Sequence, residues 1–331
     1  MTRLSVLAKS LAASFALALA FAPAHAQTDA QKQLASGPFN IVSPFPAGGP
    51  VDTLARVLAE GLNKRYGQVA VVENSAGAAG NIGMDKVKRA KGDGHTLLVV
   101  PAGNLTINPT LMPNFPFNVE KDFVAVTMLA KAPNVVVASP GAGIKNAKDL
   151  VAQAKAKPGA LSYASPGVGS GLHLAGELFK QQTGTDMLHV AYKGTAPALT
   201  DTVGGIVPLM FTNLPAALPF IQSGKLVAIG ITEAKRSPVA PNIPTLAEQG
   251  IQGVNVTSWY GLLAPAGTPA PVAEQLAKDA AEILATADVQ EKLKAQGMTQ
   301  STMTPAAFAK AMKEETAVWS GIIKSRHIVA E

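Results

Sequence analysis

One short device occurs twice in this chain, at 41–56 and again at 161–178. Each copy is a brief apolar strand, a glycine-rich loop and an amphipathic helix. In the first, Phe39-Asn40-Ile41-Val42 runs into Ser43-Pro44-Phe45-Pro46-Ala47-Gly48-Gly49. Apolar residues at 51, 54, 55, 58, 59 and 62 then mark one face of a 3.6-residue period. Pro50 suits a first helical turn, where a missing N–H costs nothing, and Asp52 complements the positive end of the helix dipole. In the second, residues 161–165 lead through Pro166-Gly167-Val168-Gly169-Ser170-Gly171 to a helix over 172–182, with apolar positions 172, 175, 178 and 179. Glycines leave the backbone bare where a helix start presents free N–H groups, an arrangement suited to a carboxylate or other small anion. Neither loop contains Lys or Arg. Taken alone, either loop is equally well explained as a tight turn.

The intervening segments place these copies in two α/β domains. Residues 27–38 are polar and read as a loose lead. Strands at 69–74 and 95–100, with a small-residue loop at 75–83 and a helix at 84–90, continue the first copy into a parallel sheet. Asn104 follows the third strand. Runs at 122–128 and 134–139 carry the chain out of the first domain. After the second copy come strands at 189–192, 207–212 (ending on Asn213) and 226–232. Residues 254–263 read as a strand returning to the first domain. Helices are expected at 271–285, 287–295 and 305–324, the last with Phe308, Met312, Val318, Ile322 and Ile323 as its buried candidates. The expected division is 1–26 as a signal peptide, 27–129 plus 256–331 as one lobe, and 130–255 as the other. In open α/β sheets ligands sit outside the carboxyl ends of strands, so two facing domains would bring both loops to one cleft.

The signal-peptide expectation rests on Arg3 and Lys9, an apolar run of about 12 residues, and Ala24-His25-Ala26 as a cleavage site. It implies a secreted product; the periplasm as its destination is what the resemblance given below implies. Losing Arg3 and Lys9 would lower the formal net charge from +6 to about +4, with no basic run or aromatic interleaving, which speaks against nucleic acid. The chain has no cysteine, hence no disulfide or thiolate metal site.

Enzyme patterns fail on inspection. Gly167-Val168-Gly169 begins a dinucleotide fingerprint, but Leu172 stands where the third glycine belongs. Ser170 lacks the flanking glycines of a nucleophile elbow, having Val168 and Leu172 instead. The five histidines show no ligand spacing with carboxylates, so neither a metal nor a cofactor is expected. His173 reads as a packed or capping histidine rather than a base. Asp52 reads first as stabilising its helix start and second as a ligand contact. Arg56 reads as structural; Lys193 reads first as solvated and second as a contact for a ligand's distal carboxylate. Asn104 and Asn213, at strand ends facing the presumed cleft, favour function.

Across nearly the whole mature chain the segments follow one family's order. They include Pro44-Phe45-Pro46-Ala47-Gly48-Gly49-Pro50-Val51-Asp52, Gly92-Asp93-Gly94-His95-Thr96, and Tyr163-Ala164-Ser165-Pro166-Gly167-Val168-Gly169-Ser170. His189-Val190-Ala191-Tyr192-Lys193-Gly194, Pro241-Asn242-Ile243-Pro244-Thr245 and Trp259-Tyr260-Gly261-Leu262 continue the order. On these residues the chain resembles the Bug-type periplasmic solute-binding proteins, receptors of tripartite tricarboxylate transporters. His95 and Ala191 stand where that family more often has Tyr and Pro. The resemblance implies a type II periplasmic binding protein fold, two α/β lobes closing on a small carboxylate, with integral-membrane transporter subunits as partners and the receptor itself a monomer. The ligand-contact expectation is Phe45, Pro46, Ala47, Gly48, Gly49 and Asp52 from the first loop, and Ser165, Gly167, Gly169 and Ser170 from the second. Asn104, Tyr192 and Asn213 complete it. A receptor of the same fold serving a sensor kinase is the alternative; a secreted hydrolase would need a nucleophile–base set that the motifs do not supply.

Overall fold

The computed structural model describes residues 27–325 and 328–329, so the signal-peptide expectation over 1–26 lies outside the described residues. Where the sequence suggested a loose lead, the chain forms helix α1 (Asp29–Leu34). The Thr28 side chain accepts from the Gln31 N–H while Gln31 reaches back to the Thr28 N–H, and Ala30 and Leu34 are buried. This reciprocal cap satisfies two otherwise unpaired donors, and together with the burial of Leu34 it holds so short a helix.

The first lobe then alternates β1 (Phe39–Ser43), α2 (Pro50–Tyr66), β2 (Ala70–Asn74), α3 (Asn81–Lys88) and β3 (Thr96–Pro101). A π-helical turn (Gly103–Ile107), α4 (Asn108–Leu111) and α5 (Val119–Asp122) lead to β4 (Phe123–Ala132). The second lobe comprises β5 (Asn134–Ala138), α6 (Ala147–Ala156), β6 (Ser162–Ser165), α7 (Gly171–Thr183) and β7 (Leu188–Ala191). It continues with α8 (Thr195–Val203), β8 (Leu209–Asn213), α9 (Leu214–Gln222) and β9 (Val227–Ile231). The chain returns along β10 (Ser258–Pro265), followed by α10 (Ala270–Leu284), α11 (Ala287–Ala295), β11 (Thr299–Gln300) and α12 (Pro305–Ser325).

The first sheet has the order β11-β4-β10-β3-β1-β2 and the second β7-β6-β8-β5-β9. β1 is parallel to β2 and β3, as strand–helix alternation requires, but β10 is antiparallel to both β3 and β4. The first sheet is therefore mixed, because the strand returning from the second lobe inserts at its centre. β6 is likewise parallel to β7 and β8, with β5 antiparallel to β8 and β9. The two copies of the opening device thus sit at equivalent places, each strand flanked by two parallel partners.

Periodicity places the core. Val51, Leu54, Ala55, Leu58, Ala59 and Leu62 of α2 are all buried and pack in one cluster with Ala277, Ala280, Ile283 and Leu284 of α10. Full burial of each large aliphatic side chain is worth roughly 1.5–3 kcal/mol. In the second lobe, Leu172, Ala175, Leu178 and Phe179 of α7 pack with Tyr163 and Phe211.

The lobes are joined where Pro133 alone separates β4 from β5, and again by residues 232–257 between β9 and β10. Helix α12 makes a third link: Phe308 and Met312 pack on the first lobe, Trp319 and Ile323 on the second. The sequence had Val318 as a buried position of this helix; it is 59% exposed, and Trp319 takes its place. Among the described residues no helix is long and apolar enough to cross a membrane.

Candidate ligand-binding cleft

Between the lobes lies a cavity of about 340 Å³. Its first wall is the loop after β1. Gly49 caps α2 with extended backbone and makes no side-chain cap, so the first-turn N–H groups of α2 are left without a side-chain acceptor. Asp52 holds this loop from behind: its carboxylate accepts from Gly48 N (3.1 Å), Asn74 Nδ2 (3.0 Å) and Arg56 Nε (2.9 Å). Burial alone would raise this carboxyl, but the bonds from Arg56, Asn74 and Gly48 outweigh it and hold its pKa below the usual carboxylate value. Asp52 is 4% exposed and, with Gly48, lies off the cavity wall, whereas Phe45, Pro46, Ala47 and Gly49 line it.

The second wall is the loop after β6. Ser170 caps α7, accepting from His173 N (3.1 Å) and donating to Gly167 O (2.8 Å). Gly169 N donates to His173 Nδ1 (3.4 Å), and Ser165 Oγ is hydrogen-bonded to His189 Nε2 (2.7 Å). The two imidazoles stack on each other with centroids 4.2 Å apart, and His189 stacks on Tyr163. Burial, aided by the Lys180 charge, lowers the His173 pKa to about 4; burial and then the neighbouring His173 lower His189 to about 3. Both rings are therefore neutral near pH 7 and act as hydrogen-bonding props behind the loop. Gly167, Gly169 and Ser170 face the cavity, while Ser165 is fully buried behind them and does not.

A third segment follows β7. Tyr192 lines the cavity with its hydroxyl committed to Asp201 Oδ2 (2.7 Å), and Lys193 is exposed. Gly194 approaches the Pro46 ring, so the two lobes nearly touch across the cleft. Deeper in, contact is tighter. A Cβ on Gly103 would lie 2.4 Å from the Gly169 carbonyl, and one on Gly169 would lie 1.8 Å from Asn108 Oδ1. With φ at +76° Gly169 also occupies the left-handed region, so both backbone and space demand glycine there.

Asn104 is not at the strand end, as the sequence suggested, but inside the π-helical turn, a form often found at functional sites. It lines the cavity, with Nδ2 donating to Ala79 O (2.8 Å). Asn213, at the end of β8, also lines it, donating to Asn134 Oδ1 and Ser258 Oγ and accepting from Tyr260. Sequence reasoning missed the Gly77–Gly80 turn, Asn108, Trp259, Tyr260, Glu315 and Trp319, all on the wall. The glycines after β2 were the available signal for the first of these; Glu315, on a distant helix, offered none. Lys193 and Glu315 are the only charged side chains on the wall among the described residues. Among the described residues no group of three or more acidic or imidazole side chains could hold a metal ion.

Comparison with known proteins gives a consistent result. Residues 54–328 match the family described as the tripartite tricarboxylate transporter family receptor. Protein BugT of Bordetella pertussis is 37% identical over 288 residues, spanning 87% of this chain and 88% of that protein. The solved periplasmic binding protein BugD is 34% identical with a TM-score of 0.83, covering 89% of this chain and 99% of its own. R. palustris Rpa4515, solved with adipate, is 32% identical with a TM-score of 0.85, covering 89% and 98%.

Proposed function

The chain belongs to the tripartite tricarboxylate transporter family receptors, and from that premise we propose that it captures a small organic carboxylate between its lobes and delivers it to integral-membrane transporter subunits. One observation carries this reading: two glycine loops, from equivalent positions in two sheets, line one cavity that has no arginine on its wall. Backbone hydrogen bonds to a charged acceptor contribute about 1.5–3 kcal/mol each, enough to hold a carboxylate without a cation. The adipate bound by Rpa4515 supports the ligand class. In this reading the contacts are Phe45, Pro46, Ala47, Gly49, Gly167, Gly169, Ser170, Asn104, Tyr192 and Asn213. Gly48, Asp52 and Ser165 position them from behind. The lobes divide as 27–129 with 256–331, and 130–255, and the protein works in the periplasm.

The protein binds without turnover. The Ser165–His189 pair supports this: Ser165 is fully buried away from the cavity, and its imidazole partner stacks between His173 and Tyr163 rather than facing a substrate. A thermal-shift screen of mono-, di- and tricarboxylates and aromatic acids tests the reading. A ligand at one hundred times its Kd should stabilise the fold by about 2.7 kcal/mol, and the unfolding midpoint should rise with concentration. Gly169→Val should weaken that ligand by at least roughly a hundredfold, since losing two charge-assisted hydrogen bonds costs about 3 kcal/mol or more. The unliganded variant's unfolding curve reports separately whether it folds. No stabilisation by any carboxylate, or chemical conversion of one, would overturn the reading.

A further inference from the structure

The hinge side of the cavity, where β10 begins and α12 crosses between the lobes, differs chemically from the glycine loops. We propose that this end accepts an uncharged or positively charged hydrogen-bond-donating group and excludes a second carboxylate, with Glu315 as the residue that decides. This rests on the carboxylate reading above and specifies what the far end of that ligand carries.

The donors at this end are already engaged. Trp259 Nε1 donates to Glu315 Oε2 (2.6 Å) and Trp319 Nε1 to Glu315 Oε1 (3.1 Å). Tyr260 donates its hydroxyl to Asn213, and Asn213 turns its amide nitrogen to Asn134 and Ser258. What remains is acceptor capacity. An ionised carboxylate has about four lone-pair sites, and Glu315 receives the two indoles and Thr106 Oγ1 at 3.3 Å, a hydroxyl it shares with Ala102 O. Among the described residues no lysine or arginine pairs with Glu315. Among the described residues Lys193, the one cation on the wall, makes no ion pair with it.

A second carboxylate would bring like charge to Glu315; a hydroxyl or ammonium group would bring a donor to its remaining lone-pair site. Like charges brought together at an interface are a strong means of rejection.

Two matched series of probes decide this by titration calorimetry on the full chain: valerate, δ-hydroxyvalerate, δ-aminovalerate and glutarate; and benzoate, p-hydroxybenzoate, p-aminobenzoate and terephthalate. The expected result is that, in whichever series binds, the dicarboxylate is at least roughly tenfold weaker than the hydroxy acid. Glu315→Gln should shrink that gap about tenfold, chiefly by improving the dicarboxylate. Should Glu315→Gln disturb the two indoles and fail to fold, the wild-type ranking alone decides. A wild-type protein that binds glutarate or terephthalate as tightly as its hydroxy counterpart overturns this proposal and leaves the carboxylate reading standing. So does a folded Glu315→Gln variant with an unchanged gap. Failure of both series to bind overturns the proposal as well, and if no carboxylate stabilises the protein in the thermal screen the broader reading falls with it.

Discussion

His173, His189 and Glu233 are uncharged near neutrality for one physical reason, burial, yet they push stability in opposite directions with pH. An unfolded histidine titrates at 6.5, whereas burial lowers His173 to about 4 and His189 to about 3. The unfolded chain therefore takes up protons first, and stability is lost as pH falls from 6.5 towards 4. Glu233, which accepts from Asn134 N at the lobe crossing, is raised by burial from 4.5 to about 8. Its contribution is complete below 4.5 and is lost as pH rises through 8. Between 4.5 and 6.5 two histidines oppose one carboxyl and prevail. The unfolding midpoint should therefore peak near pH 6.5 and decline on both sides. Glu233→Gln should abolish the decline from 6.5 to 8 while keeping the acid limb; a flat wild-type profile above 6.5 would contradict the assignment. Residue type alone foretold part of this. That His173 packs or caps was legible from its place in a helix's first turn. The supporting role of Asp52 was the first of its two readings, but that Ser165 stands behind its loop was not legible, because side-chain direction at a loop depends on partners distant in sequence: here His189.

Elements with strong periodicity were legible, and those held by local hydrogen bonding were not. Helices α2 and α7 bury the faces that their 3.6-residue patterns mark. Helix α1 escaped because its stability comes from a reciprocal cap in a polar segment, and the π-helical turn escaped because no residue pattern announces an i→i+5 bond. Helix α12 shows an intermediate case. Its buried residues Phe308, Met312, Trp319 and Ile323 change partner midway from one lobe to the other, so its inward face is set by two cores. Trp319→Ala should cost about 3–5 kcal/mol in urea unfolding, the usual range for deleting a buried large aromatic. Val318→Ala, at an exposed position, should change stability by less than about 0.5 kcal/mol. Equal effects would mean that the helix does not fasten the second lobe through that face.

At the scale of the whole molecule, duplication of one strand–loop–helix device foretold two lobes and a shared cleft, since two such loops in separate domains must face each other to act on one ligand. The mixed first sheet was not foretold, because which neighbours the returning strand chooses is a long-range matter. Gly103 against Gly169 and Gly194 against Pro46 show the lobes in close approach, and a ligand that contacts both loops would favour this arrangement by its differential affinity for it. In the proposed mode of binding a carboxylate is gripped by backbone N–H groups from both glycine loops at once. A crystal structure with the best ligand from the carboxylate screen tests it most directly. Carboxylate oxygens should lie about 2.7–3.2 Å from backbone N–H nitrogens within both 47–52 (Pro50 excepted) and 168–172; a carboxylate held by only one loop, or by Lys193 with both loops empty, would refute the two-loop grip.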